Sequence, residues 1–261
     1  MVRMLVWLPL GLVTLFVGCV LAALFFHVSF SEITDALQCR ETQFALRLSL
    51  VTSSAAVILS LVMGIPSGYV LARRLFPGRM LIDTLLDLPL VMTPLVAGVG
   101  LLFLFGQEWF GGQLAALGIR LVFTPGGAIA AQTFIAVPIV IRSSRAAFES
   151  VNRRYELAGQ TLGLSGQAIF FRITLPLAWQ GILTGAVLAW ARALGEFGAT
   201  LMIAGATRFK TATLPVSVYL NISSGELGMA LACVWILLFF GFVLLLAIKL
   251  LGRKVDSRLM V

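Results

Sequence analysis

The chain has 261 residues, of which 60% are hydrophobic and only 11% are charged, and its mean hydropathy is +1.03. A soluble domain of this size needs more charge to cover its surface, so the composition excludes an ordinary soluble protein. The net charge of +8 could indicate nucleic acid, but the basic residues are concentrated in alternate connecting segments, as membrane topology requires. We therefore expect no nucleic-acid partner.

Six apolar segments are long enough to cross a bilayer, which takes about 20 helical residues. The sequence predicts an all-α polytopic membrane protein with a single transmembrane domain, residues 1–261, and no sizeable soluble domain. The predicted spans are residues 5–27, 42–72, 82–106, 124–145, 177–204 and 228–250. The positive-inside bias of Lys and Arg predicts that both termini are cytoplasmic. The first span is too long for a typical signal peptide and is expected to remain uncleaved.

The third predicted span contains two prolines, Pro89 and Pro94, so we expect its backbone hydrogen bonding to be broken twice. Inside a membrane such breaks persist only where protein or a water-filled cavity satisfies the freed groups. Two interpretations remain open at this point. Either the helix bends for packing, or it lines a pathway.

No motif for catalysis or cofactor binding is present in the sequence. The three lysines, Lys210, Lys249 and Lys254, do not follow a glycine-rich turn, so no Walker-type phosphate loop exists. One histidine and three cysteines without metal-ligand spacing predict no metal site. The chain is therefore expected to hold no cofactor and to catalyse no reaction by itself.

Residues 146–176, between the fourth and fifth spans, form a polar segment that predicts a helix–turn–helix. Four apolar residues follow i, i+4, i+7, i+11 spacing and predict one stripe on a helix over residues 150–163: Val151, Tyr155, Ala158 and Leu162. Glu156 lies on the opposite face. Gly163 is predicted to form a left-handed helix cap, and Ser165 to cap a second short helix. A passive amphipathic helix resting on lipid headgroups would show the same pattern.

The spacing G-x9-I-x-L-P, formed by Gly163, Ile173, Leu175 and Pro176, resembles the second half of the EAA loop of ABC importer permeases. The first half departs from the family, because residues 157–159 read Leu-Ala-Gly where Glu-Ala-Ala is usual, and the glutamate lies one place earlier. In that family the loop is a coupling helix that docks into a separate cytoplasmic ATPase. The resemblance implies an ATPase-coupling role for Val151, Tyr155, Glu156, Ala158, Leu162 and Gly163.

Four further stretches are similar to permeases of the molybdate/tungstate/sulfate group: FALRLSL (44–50), LPLVMTPLVAGVGLL (88–102), VFTPGGAIAAQTFIAVP (122–138) and ARALGEFGAT (191–200). The resemblance implies a type I ABC importer permease fold in a bacterial or archaeal cytoplasmic membrane, surrounded by lipid. It implies import of molybdate, or tungstate, by alternating access.

The resemblance also implies a set of partners. They are a second copy of the chain, two ATPase subunits that bind ATP and Mg, and a periplasmic or extracellular oxyanion-binding protein. A sulfate or thiosulfate permease would have the same architecture. A secondary transporter or channel is the alternative from another class, but such transporters often have two related halves, and no internal repeat is evident here.

The third and fifth spans supply kinks and small polar residues that suit a gate in the central pathway of a dimer. The predicted gate residues are Thr93, Pro94, Gly195, Gly198 and Thr200. Ordinary helix packing through small residues is the alternative.

Three charges are predicted to lie within the membrane: Arg47, Arg192 and Glu196. Such charges are costly and usually face protein or water. Arg192 precedes Glu196 by one helical turn, the weaker order for an i,i+4 pair, so we predict that Glu196 bridges to Arg47 instead. Direct binding of the oxyanion is the alternative role, but we expect the ion pair to be structural, since a carboxylate repels an anionic substrate.

Overall fold

The computed structural model describes the backbone of residues 2–259 and the side chains of residues 7–243 and 246. Within these residues no β-strand occurs, and the predicted all-α fold is confirmed. Two single π-helical turns, Gln107–Gly111 and Phe170–Thr174, interrupt the α-helices. In chain order the α-helices are α1 (Val2–Phe26), α2 (Phe30–Gln38), α3 (Arg40–Arg73), α4 (Arg79–Val91), α5 (Pro94–Leu104), α6 (Gly112–Ala116), α7 (Pro125–Ser150), α8 (Arg153–Thr161), α9 (Gly166–Ile169), α10 (Leu175–Leu194), α11 (Gly198–Ala204), α12 (Leu214–Ser223) and α13 (Leu227–Leu259).

Local sequence signals set many of these helix starts. Pro94, Pro125 and Pro215 lie in the first turns of α5, α7 and α12, where a missing N–H costs no helical hydrogen bond. At α2, Ser29 accepts a hydrogen bond from the Glu32 backbone and the Glu32 carboxylate accepts one in return from Ser29. This reciprocal capping box satisfies two donors that would otherwise lack partners.

The core is formed where α3, α7 and α10 pack against one another through small residues. A Cβ added to Gly64 of α3 would lie 2.7 Å from Val140 Cγ1 of α7, and one added to Gly181 of α10 would lie 2.6 Å from Ala147 Cβ. Such close approach is how helices gain contact area inside a bilayer, where lipid offers no hydrophobic driving force. These three helices form the frame that positions the elements described below.

Among the described residues, five helical stretches are long and apolar enough to cross a membrane: Trp7–Phe26, Arg40–Arg73, Pro94–Ala116, Pro125–Ser150 and Gly166–Leu194. The sixth predicted span, 228–250, falls on α13, whose described apolar part, Leu227–Val243, is shorter. The number of six spans and the cytoplasmic placement of both termini stay predictions.

Two predicted spans are each divided into two helices. The third is divided between α4 and α5, but at one place only, because α4 continues through Pro89 and ends before Pro94. Pro89 removes one helical hydrogen bond, because proline has no N–H, but it does not end the helix. The fifth is divided between α10 and α11 at residues 195–197.

Candidate functional site: helix α8 and the two helix breaks

Helix α8 is capped at both ends, by Asn152 at its start, which was not predicted, and by the predicted glycine at its end. The Asn152 side chain accepts a hydrogen bond from Arg154 N at 3.0 Å. At the other end Gly163 has φ +77°, and the backbone N–H groups of Gly163 and Leu164 donate to Gln160 O and Gly159 O. This pair of bonds is the Schellman arrangement, in which a left-handed glycine ends the helix. The predicted cap of α9 is also present, since Ser165 Oγ accepts from Ala168 N at 3.3 Å.

The inner face of α8 is held by one carboxylate. Glu156 Oε1 accepts hydrogen bonds from Arg73 Nε at 2.9 Å and from Thr174 Oγ1 at 3.0 Å. The same guanidinium donates through Nη2 to Val151 O at 2.8 Å. The side chains of Arg73 and Glu156 are only 8% and 14% exposed. Glu156 therefore faces the body of the protein, on the side of the helix away from the exposed Tyr155 and Leu162.

Close packing beside this carboxylate requires a glycine. A Cβ added to Gly159 would lie 2.8 Å from Ile173 Cδ1, so α8 lies directly on the π-helical turn Phe170–Thr174. Beneath that turn, the rings of Tyr69, Phe148 and Phe170 pack edge-on or tilted at centroid distances of 4.8–6.0 Å. The helix thus packs on a turn that is itself supported by aromatic rings.

The outer face of α8 and its cap present large apolar side chains to solvent. Tyr155, Leu157 and Leu162 are 57%, 56% and 80% exposed, and Ala158 and Gly163 are exposed beside them. Val151 differs from the prediction, because it is buried beside Phe148 and belongs to the end of α7. Asn152 starts a new helix at this point, so the predicted stripe does not continue back to Val151.

The two membrane breaks lie against each other. A Cβ added to Gly198 would lie 3.1 Å from Pro94 Cβ, and one added to Gly98 would lie 2.7 Å from Ala199 Cα. Helices α5 and α11 therefore pack backbone against backbone from the breaks onward. The structure brings all five predicted gate residues into this region, although their role stays a prediction.

Only part of this predicted gate set is open to solvent in the protomer. Thr93 and Gly195 are exposed and Pro94 is half-buried, while Gly198 is buried. Thr200 is fully buried, and among the described residues its hydroxyl has no hydrogen-bond partner. The predicted place of Thr200 in the pathway stays a prediction.

Glu196 lies in the second break and uses both carboxylate oxygens locally. Oε2 accepts from Arg192 Nη1 at 2.6 Å, and Oε1 accepts from Ala199 N at 3.0 Å. Glu196 is 1% exposed, whereas the Arg192 side chain is 39% exposed. The predicted bridge to Arg47 is wrong, since Arg47 is exposed and pairs with no acidic group among the described residues. The chain leaves helical geometry after Leu194, so the rule for i,i+4 pairs on a continuous helix does not apply.

Sequence reasoning missed the part that Arg73 and Thr174 take in this site. Arg73 shows only the positive-inside signal of a basic residue near the end of a span, and Thr174 lies in the polar segment 146–176 without a motif of its own. The contact between Arg73 and Glu156 joins positions 83 residues apart, and no periodicity in one sequence reports such a pair. The one available signal was an acidic residue on a helix that otherwise shows an apolar stripe.

Comparison with known protein families decides which kind of membrane protein carries this arrangement. A family model described as the binding-protein-dependent transport system inner membrane component matches residues 64–257, which include α8 and both breaks. The chain belongs to this family. The permease is therefore an ABC importer membrane subunit and a multi-pass protein of the cytoplasmic membrane.

Several relatives of the permease are similar over most of their length. The molybdenum transport system permease protein ModB of Escherichia coli K12 is 42% identical over 194 residues, which cover 73% of this chain and 85% of the relative. ModB of Mycobacterium tuberculosis H37Rv is 37% identical over 219 residues, with 83% and 82% covered. The sulfate transport system permease protein CysW of Synechocystis is 38% identical over 194 residues, with 74% and 70% covered.

Solved structures give the permease fold. A bacterial alginate ABC transporter in complex with its periplasmic protein matches with a TM-score of 0.74 at 18% identity, with 97% of this chain and 92% of that chain covered. The MetNI methionine ABC transporter matches with a TM-score of 0.64 at 16% identity, with 80% and 93% covered. The expected type I ABC importer permease fold is confirmed.

Proposed function

We propose that this permease imports molybdate, or tungstate, into the cytoplasm by alternating access driven by ATP hydrolysis in a partner chain. The observation that carries the ATP-driven part is the exposed apolar face of α8, where Tyr155, Leu157 and Leu162 are more than half exposed on a helix otherwise fixed to the protein. A soluble partner is needed to cover such a face, because large exposed apolar groups clustered on one helix mark interaction sites. The substrate is inferred from the similarity to ModB proteins.

The proposed assembly contains two copies of this chain, two ATPase subunits and an oxyanion-binding protein outside the membrane. ATP and Mg bind to the ATPase, since this sequence has no phosphate loop. Support for a second copy comes from α4, which has no buried residue in the protomer and adjoins the exposed Thr93. Two such surfaces facing each other place Thr93 and Gly195 along a central pathway.

Sulfate or thiosulfate is the second candidate substrate. The observation that favours it is the 38% identity to CysW, which approaches the 42% identity to ModB of E. coli. Molybdate, tungstate and sulfate are all tetrahedral dianions, so a pathway that admits one offers similar electrostatics to the others. A pathway site that held any of them tightly would also slow its release.

Transport assays on the complete complex in proteoliposomes test the substrate and the energy source together. With ATP inside and the binding protein outside, we expect uptake of labelled molybdate that excess tungstate competes away and excess sulfate does not. Preferred uptake of sulfate would replace the molybdate proposal with the second candidate. Uptake driven by an ion gradient without ATP would contradict the whole proposal.

A variant on the outer face of α8 tests the docking role. Leu157→Asp introduces a charge into the proposed interface and should weaken binding of the ATPase subunit about tenfold or more, the effect of one important interface residue. Leu75→Asp is the matched control, because Leu75 is 87% exposed in the connection between α3 and α4. Equal ATPase binding by both variants would show that α8 is not the docking helix.

A further inference from the structure

The ion pair between Arg73 and Glu156 connects three segments that are separate in the chain. Arg73 is the last residue of α3, Glu156 lies in α8, and Thr174 immediately precedes α10. One carboxylate oxygen, Glu156 Oε1, accepts from Arg73 Nε at 2.9 Å and from Thr174 Oγ1 at 3.0 Å. A shift of this carboxylate therefore changes hydrogen bonds to two long helices of the core.

Arg73 binds more than the carboxylate. Its Nη2 donates to Val151 O at 2.8 Å, in the connection between α7 and α8, and its own backbone oxygen accepts from Arg153 Nη2 at 3.4 Å. The end of α3 is thus tied to α8 from both sides of the Asn152 cap. Nonpolar packing of α8, by contrast, is directed at the π-helical turn through Gly159 and Ile173.

The ion pair between Arg73 and Glu156 is largely buried, which makes each partner depend on the other. The two side chains are 8% and 14% exposed, and Thr174 is fully buried. A charge-assisted hydrogen bond shielded from water is stronger than a neutral one, and removing one partner leaves the other charge buried without compensation. Water cannot readily take the place of either group.

From this geometry we infer that Arg73 and Glu156 are positioning residues that transmit movement of α8 to α3 and α10. The inference rests on the proposed function, in which α8 is moved by an ATPase. The Glu156 carboxylate points towards the body of the protein, so it is not part of the docking face. Docking is carried by Tyr155, Leu157 and Leu162, and transmission by the buried ion pair behind them.

The test uses the complete complex in proteoliposomes and measures molybdate transported per ATP hydrolysed, together with ATPase binding. Glu156→Gln preserves shape and an acceptor for Thr174 but removes the charge, and Arg73→Gln removes the other partner. We expect each to lower the transport-to-hydrolysis ratio about tenfold, within the range typical of coupling between sites, while ATPase binding stays within about twofold. Arg73→Lys retains the charge without the forked donor geometry and should retain part of the ratio.

The matched control is another Arg–Glu contact between distant segments, Arg208 to Glu41 at 3.2 Å, whose side chains are 46% and 17% exposed. Arg208→Gln should leave the transport-to-hydrolysis ratio unchanged, because this pair involves neither α8 nor the segment that precedes α10. If Arg73→Gln and Glu156→Gln behave like this control, the inference is overturned. Should the single variants fail to assemble, the exchange Arg73→Glu with Glu156→Arg replaces them.

In the exchanged variant, recovery of assembly and of the transport-to-hydrolysis ratio supports transmission through the pair. Recovery of assembly without the ratio, or no recovery of assembly, overturns it. Full recovery of the ratio in a variant whose pair is absent would overturn it. A separate failure, in which Leu157→Asp leaves ATPase binding intact, would reject the docking role of α8 and not the ion pair.

Discussion

Two of the Arg–Glu pairs among the described residues are alike in composition and differ in what they connect. Arg73 and Glu156 are 83 positions apart and join two helices at 2.9 Å. Arg192 and Glu196 are four positions apart and meet at 2.6 Å across the end of one helix. In the first pair both side chains are largely buried, whereas in the second only the glutamate is buried and the arginine is 39% exposed.

The second partner of each glutamate explains the difference in role. Glu156 accepts from a side-chain hydroxyl of another segment, so its pair fixes the relative position of separate helices. Glu196 accepts from the backbone N–H of Ala199, so its pair closes α10 and starts α11. The same residue types therefore act between helices in one place and shape the backbone within one span in the other.

The largest effect is expected from Glu196→Ala, which removes the carboxylate from the membrane break. It leaves Ala199 N–H without its acceptor and Arg192 without its counter-ion, at a cost of about 3 kcal/mol. Thermal unfolding of the complex in nanodiscs measures this loss. Glu196→Gln keeps one acceptor oxygen, which can still accept from Ala199 N–H, and should lose less. If Glu196→Ala unfolds like the wild type, the carboxylate does not hold the break.

A smaller effect is expected from Gly98→Ala, which separates α5 from α11 beside the same break. The new Cβ would lie 2.7 Å from Ala199 Cα and 2.8 Å from Met202 Cβ, so the helices must move apart, at about 1–3 kcal/mol. Gly100→Ala is the matched control, because nothing lies within 4 Å of its added Cβ. Both variants are compared by thermal unfolding and molybdate uptake, and similar losses in the two would argue against close packing of α5 on α11.

The smallest effect is expected from Gly163→Val, at the C-terminal end of α8. The substitution places a β-branched residue at φ +77°, which costs roughly 1–2 kcal/mol and should loosen the end of α8 and lower ATP-coupled transport several-fold. Gly166→Val is the control, since Gly166 also has no atom within 4 Å of an added Cβ and does not have positive φ. Wild-type transport by Gly163→Val, with normal assembly, would contradict the docking assignment.

Local sequence signals predicted the caps at Gly163 and Ser165 and failed where one helix ends and the next begins. Gly163 and Ser165 cap as predicted because a cap depends on a few adjacent residues. Val151 was assigned to the wrong helix because periodic spacing was extended across the Asn152 cap. Glu196 was assigned the wrong partner because the helix was taken as continuous through Gly195.

The contacts that connect segments were beyond single-sequence reasoning for a different reason. Arg73 and Glu156 each fit their own local pattern, one as an inner basic residue and the other as a polar position on an amphipathic helix. Nothing in either pattern specifies a partner 83 positions away. The alternation of apolar runs, by contrast, follows from bilayer thickness alone, so the helical class of the fold was predictable.

Helix α10 begins directly after Thr174, whose hydroxyl contacts Glu156, and ends at Leu194, two residues after Arg192. Its 20 residues extend roughly 30 Å at 1.5 Å per residue, from the hydroxyl that contacts Glu156 to the turn that contains Glu196. If such a helix tilts as a rigid rod by about 5° about one end, its other end moves by about 2.6 Å over that length. A tilt of that size would thus shift the second break by nearly the width of a water molecule.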